Sequence, residues 1–182
     1  MTELTRRTIL EGAKDAFFAA LLAGYCGGDK SESAVVIEEK LNNGFTNRVT
    51  FSDEIIHPGF VVVDGWHTNP NSDKSNGSTI ITFFNVPIWA MSYGGFYTDQ
   101  AIDFLKNILR RAYEEKKFLG GRGESSYGGI IVPQEKHIML EYKNSFEGNF
   151  ERFSGREDIH ENPLTPNPEL WGYHQYFGMA LI

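Results

Sequence analysis

Apolar and polar residues alternate along much of this chain, which predicts strands, and two stretches replace that alternation with helical spacing. Ile9, Ala13, Phe17 and Leu21 recur at about every fourth position and predict a helix from Thr5 to Ala23. Its Phe17–Ala23 half is apolar almost all round and therefore belongs inside. Gly24, Gly27 and Gly28 follow and stop it. The second helix begins after Thr98, read as its N-cap, with Asp99 and Asp103 in the first turn. Ala101, Phe104, Leu105, Ile108 and Ala112 form its apolar stripe, and Asp103, Lys106, Asn107, Arg110 and Glu114 its solvated face. Lys116 and Lys117 suit its C-terminal end, and Gly120-Gly121 is read as its stop.

Between the helices, Ala34–Ile37 reads as a short strand or the start of a short helix. Phe45, Asn47, Val49 and Phe51 alternate as in a strand, and Phe60–Val63, Thr79–Phe84 and Trp89–Tyr93 are further strands. Asn69–Ser78 reads as a turn region closing on Asn76-Gly77, and Asn85-Val86-Pro87 as a break, since proline cannot donate to a ladder. After the second helix the pattern gives strands at Ile130–Val132, His137–Lys143, Asn149–Phe153 and Trp171–Leu181, with a proline-punctuated loop at 162–168. Two segments share a signature of aromatics ending in glycine: Ile88-Trp89-Ala90-Met91-Ser92-Tyr93-Gly94-Gly95 and Leu170-Trp171-Gly172-Tyr173-His174-Gln175-Tyr176-Phe177-Gly178. They hint at an internal duplication. The expected fold is α+β, a mainly antiparallel twisted sheet with two principal helices packed on one face, in a single globular domain over residues 1–182.

Charge narrows the partners. The 182-residue chain carries a formal net charge of -7, which argues against direct nucleic-acid binding and against an anionic membrane surface. Its early apolar run, Ala16–Ala23, is too short to span a bilayer and does not read as a signal peptide. The lone Cys26 excludes an internal disulfide framework and fits a reducing, cytoplasmic setting. Cys26 follows a helix C-terminus, where the dipole opposes a thiolate, so it reads as structural.

The five histidines show no metal-ligand spacing, and no metal or cofactor is expected. Gly120-Gly121-Arg122-Gly123 has glycines like a phosphate loop, but it follows a helix and lacks the spacing, so a cap and turn explain it better. Trp66, Trp89 and Tyr93, with Tyr176, are candidates to line a pocket that stacks on a ring, the alternative being a core packed with aromatics. Arg156 and Glu157 follow a glycine where a charged pair could face a cleft; Glu141, Glu157 and His174 lie on aromatic-rich strands and could supply acid–base groups. The candidate ligand-binding set is thus Trp66, Trp89, Tyr93, Glu141, Arg156, Glu157 and Tyr176, with no catalytic residue assigned.

The ordered pieces Ala23-Gly24-Tyr25, Pro87 to Gly95, Ala112-Tyr113 leading to Phe118-Leu119-Gly120-Gly121, Glu147-Gly148 through Glu157, and Tyr176-Phe177-Gly178 cover most of the chain. Together they resemble an uncharacterised bacterial family of domains of unknown function, DUF5680. The resemblance implies a standalone small protein, or a partner domain behind a helix-turn-helix, and it carries over no catalytic residue. The stretch from Gly28 to His57 and the proline loop are longer than the resemblance leads one to expect. Three functions follow as expectations, in order: a small-molecule binding or sensing module with an aromatic-lined pocket; a metal-independent enzyme pairing a carboxylate with His or Tyr; and a protein-interaction or homo-oligomeric subunit.

Overall fold

A computed structural model describes residues 1–131 and 137–182. The fold is α+β, an open antiparallel sheet of nine described strands with two helices. Helix α1 (Glu3–Ala23) is followed by β1 (Val35–Leu41), β2 (Thr46–Ser52), β3 (Phe60–Asn69), β4 (Ser72–Phe83) and β5 (Val86–Tyr97). Helix α2 (Asp99–Glu114) is followed by β6 (Ser126–Ile131), β7 (Ile138–Asn149), β8 (Arg152–Glu161) and β9 (Glu169–Ala180). The sheet order is β1-β2-β3-β4-β5-β9-β8-β7-β6. A helix leading into an antiparallel meander therefore occurs twice, and the last strands of the two meanders meet in mid-sheet. Those strands carry the two aromatic–glycine segments, which pair directly, Tyr93 opposite Tyr176 and Trp89 opposite Ala180.

The helices form where their stripes dictate. Helix α1 buries Leu10, Ala13, Phe17, Ala20 and Leu21, at spacings of three and four, and packs over β2, β3, β4 and α2. The Thr2 hydroxyl caps it by accepting from the Thr5 amide at 3.2 Å. Helix α2 buries Ala101, Phe104, Leu105, Ile108, Leu109, Ala112 and Tyr113. Phe17, sealed from solvent, lies edge-on to Phe18, Trp89, Tyr113, Phe118 and Phe150, which ties both helices to the sheet.

Several boundaries differ from the sequence reading, each for a local reason. Thr98 stands at the cap position of α2 without capping it: its buried hydroxyl has no partner among the described residues, while its carbonyl accepts from Ala101 at 3.0 Å. The helix ends at Glu114 because Lys116 turns left-handed at φ 52°, before Gly120 is reached. The β3–β4 turn sits at Asn69–Ser72, where the Asn69 side chain accepts from the Asn71 amide at 2.9 Å. Asn76 and Gly77 lie within β4, opposite His67 and Trp66. Phe84 and Asn85, both at positive φ, make the β4–β5 turn, and Pro87 is tolerated inside β5 beside the register shift at Ile81/Thr82. Asn149–Phe153 is a hairpin turn with two strand ends: Gly148 has φ 92°, and the Asn149 side chain accepts from the Glu151 amide. Of Ala34–Ile37, the last three residues open β1 and Ala34 precedes it. Of the predicted strand Ile130–Val132, the first two residues belong to β6, and Val132 lies outside the described residues.

Since Phe17 bridges helices and sheet, Phe17→Ala is expected to lower unfolding free energy by about 3–5 kcal/mol, read by urea denaturation.

Candidate functional site

Alternation on the helix-covered face brings three strands to one hollow. Strand β3 presents Asp64, Trp66 and Thr68; β4 presents Ser75 and Thr79; β5 presents Met91, Tyr93 and Tyr97. The adjacent strand β9 adds His174, and the helices close the other wall with Leu21, Ile102, Lys106 and Tyr113, joined by Tyr25 from the turn after α1. The cavity, partly open to solvent, is about 330 Å³. Two glycines shape it. A Cβ at Gly77 would stand 2.6 Å from the Tyr93 hydroxyl, and one at Gly95 would stand 2.8 Å from the His174 ring. Their absence lets Tyr93 and His174 lie against each other, ring centroids 5.6 Å apart.

The floor is an ion pair. Gly120 and Gly121, both at φ 72°, pass so close to Tyr176 and Phe17 that neither position has room for a side chain. This close-packed double turn drives Arg122 into the interior, where Nε donates to Glu157 Oε1 at 2.6 Å and Nη2 also binds that oxygen. Tyr97 donates to the same oxygen, and Tyr142 donates to Oε2 at 2.6 Å while accepting from the Gly123 amide at 2.9 Å. Glu157 is 0% exposed and Arg122 6%. Burial works to raise the Glu157 pKa, but the Arg122 charge and its hydrogen bonds outweigh it and hold the carboxyl below the usual range. Burial works against charge on Arg122 too, and Glu157 overcomes it, raising the guanidinium further above its ordinary value.

A second polar group sits on the β3–β5 wall. Asp64 Oδ1 accepts from Thr79 at 2.7 Å and from the Tyr93 hydroxyl at 3.0 Å. Burial pushes the Asp64 pKa up, only partly countered by these two donors and by the Arg122 charge. Its Oδ2 has no hydrogen bond among the described residues. His174 Nε2 lies 3.2 Å from Ser75 Oγ, and its buried Nδ1 has no partner among the described residues. Burial, with the Arg122 charge behind it, pushes His174 down to about 3, so the imidazole is neutral.

The seven sequence candidates are divided by this geometry. Trp66 and Tyr93 line the cavity, and Glu157 lies beneath it as the partner of Arg122. Trp89 is sealed in the core, donating to the Phe150 carbonyl at 2.7 Å and stacked on Phe150 and Phe153. Tyr176 is buried behind the wall and donates to Asn144 Oδ1 at 2.5 Å. Glu141 and Arg156 fall on the outward face: Glu141 pairs with Lys143 at 2.8 Å, and Arg156 binds Asp158 and covers Tyr173. Adjacent in sequence, Arg156 and Glu157 are separated by the pleat. Sequence reasoning missed Asp64, Tyr97 and Arg122 as site residues, and it explained the glycines around Arg122 as a cap and turn. A cation bracketed by three glycines after a helix was the available signal. Cys26 is 2% exposed, and burial pushes its thiol up to about 12, opposed by nearby cations, as its structural reading requires.

No described helix is long and apolar enough to cross a membrane. Among the described residues no group of three or more His, Cys, Asp or Glu side chains is placed to hold a metal ion.

Glu157→Gln leaves a buried guanidinium without its counter-charge and is expected to cost about 3–5 kcal/mol; adding Arg122→Met should make the double variant lose less than the sum of the single losses, by urea denaturation. His174 carries a second prediction. The unfolded imidazole, near 6.5, takes up a proton that the folded one refuses until about 3. Stability attributable to this group is full above pH 6.5 and falls as pH drops toward 3, by roughly 2 kcal/mol at pH 5. The expected outcome is a stability–pH slope between pH 7 and 4 that is shallower in His174→Gln than in the native chain.

A family model described as a domain of unknown function (DUF5680) matches residues 72–165, just over half the chain. That segment runs from β4 through β8 and contains Tyr93, Tyr97, Arg122, Tyr142 and Glu157. No curated protein and no solved structure matches the chain. The chain belongs to the DUF5680 family.

Proposed function

We propose that this DUF5680 member is a small-molecule binding module whose site is the cavity between β3, β4, β5, β9 and the two helices. The observation that carries this reading is a partly open hollow of about 330 Å³ in which aromatic walls surround polar atoms not used by the fold. Its size lies at the lower end of small-ligand pockets, and its make-up, mostly apolar with a few convergent polar groups, is what such pockets need. Tyr25 and Trp66 meet edge to face at 5.9 Å, and Tyr93 and Tyr97 flank His174, so a planar ligand finds ring faces on more than one side. Arg122 Nη1 and Asp64 Oδ2, neither of which has a hydrogen bond among the described residues, supply a donor and an acceptor for orientation.

An enzymatic reading has one observation in its favour. The Asp64 carboxyl, the Tyr93 hydroxyl at 3.0 Å from it and the neutral His174 all border the cavity, where they could exchange protons with a bound molecule. Binding comes first in either case, so the same screen tests both, and turnover of a bound compound separates them.

A broad library of small polar aromatics, screened by thermal shift, is expected to yield a stabiliser. At about 100 times its Kd such a ligand raises Tm on the order of 5–10 °C. Ile102→Trp, which fills the cavity from α2, should abolish the shift while the variant still melts cooperatively. A library without any stabiliser, or a shift unchanged in Ile102→Trp, defeats the proposal.

A further inference from the structure

The polar atoms left over in the cavity are unequal in what they can hold. Arg122 is already engaged: two of its nitrogens bind Glu157 and one also reaches the Tyr97 hydroxyl at 3.4 Å. An anion entering the cavity must share that guanidinium with a carboxylate sealed directly behind it. Asp64 is different. Its Oδ1 is satisfied by two neutral hydroxyls, no cation binds it among the described residues, and its Oδ2 is free of hydrogen bonds there. The charged side chains lining the cavity are Asp64, Asp73 and Asp99 against Arg122 and Lys106, and Glu157 offsets part of the Arg122 charge from below. Carboxylates outnumber cations along this lining, which favours a positive ligand on the Asp64 side, away from Arg122.

The aromatic walls point the same way. The Lys106 ammonium already lies 5.4 Å above the Tyr25 ring, and the Arg122 guanidinium lies 5.9 Å from the centre of Tyr93. These faces hold cations within the protein itself, as the negative face of an aromatic ring does.

Resting on the cavity reading above, we infer that the ligand is an organic ammonium ion, its nitrogen donating to Asp64 Oδ2 and its carbon skeleton lying against Trp66 and Tyr93. The entering charge offsets what burial costs the Asp64 carboxylate, so the residue is most fully ionised when the site is filled.

Three compounds with one skeleton isolate the charge: phenethylamine, 2-phenylethanol and phenylacetate, each titrated calorimetrically into the full chain at neutral pH. The amine is expected to bind at least about tenfold more tightly than the alcohol, and the carboxylate most weakly. In Asp64→Asn the amine should fall to within about threefold of the alcohol, whose own affinity changes little. If the alcohol equals the amine, or phenylacetate binds tightest, the ammonium inference is overturned while the cavity reading stands. If none of the three binds, the inference is also overturned, and the cavity reading falls only if the broad thermal-shift library fails as well. Should Asp64→Asn not fold, the ranking of the three compounds on the native chain decides by itself.

Discussion

The Arg122–Glu157 pair is the constraint around which the rest of the molecule is arranged. Two charges withdrawn from water are tolerable only where attraction and hydrogen bonds together offset a desolvation cost of several kcal/mol per ion. Glu157 therefore sits among Arg122, Tyr97 and Tyr142, which engage both of its oxygens. Those partners come from β5, β7 and the loop after α2, so satisfying one carboxylate on β8 ties together four separate stretches of chain. Tyr142 also accepts from the Gly123 amide, and Asn144 holds the Leu119 and Gly123 carbonyls, so the loop carrying Arg122 is anchored at both ends. A pair of this kind adds little net stability by comparison with apolar packing. What it does here is to keep large side chains at defined positions around a space that they would otherwise fill.

That space persists because its neighbours are committed elsewhere. Trp89 is held by the Phe150 carbonyl and stacked between Phe150 and Phe153, and Tyr176 is held by Asn144. Neither ring can swing into the hollow without abandoning a buried hydrogen bond, which costs about 1–3 kcal/mol. Tyr93 is fixed in the same way by Asp64. Shape and polarity in the cavity thus share an origin at Tyr93, Tyr97 and Tyr113, whose hydroxyls are tied to Asp64, Glu157 and the Gly121 carbonyl.

The architecture was legible in the sequence because period carries it. Helical spacing from Ile9 to Leu21 and from Ala101 to Ala112 had to give two buried faces, and alternation from Phe60 and from Trp89 had to give strands. The pairing of the two aromatic–glycine segments was visible only as an echo, since no local pattern says that the first meander's last strand meets the second's. Turn positions were misplaced where a glycine served close approach: Gly77 looked like a turn residue, yet it is bare because the Tyr93 hydroxyl and the Gly65 carbonyl occupy the place of its side chain. The site was half legible for a related reason. Trp66 and Tyr93 were found from alternation, and alternation also explains why Arg156 and Glu157 part company. Nothing in a period reveals that Arg122 turns inward, because its direction is set by two left-handed glycines in a loop and by a carboxylate 35 residues further on.

The order of the strands has a consequence for when the site comes into being. Asp64, Trp66, Thr79 and Tyr93 lie within the first meander and can be assembled by short hairpins. Arg122, Glu157 and His174 belong to the second half, and they reach the cavity only when β9 lies between β5 and β8. That strand is the last of the described strands in sequence and sits in the middle of the sheet, so its pairing with β5 closes the longest loop among the described strand pairs. In the completed sheet Gly95 and His174 stand opposite each other. The hollow is therefore a property of the completed sheet and belongs to neither half alone: its aromatic walls come from β3 and β5 as well as from the helices, and its polar atoms from both halves of the chain.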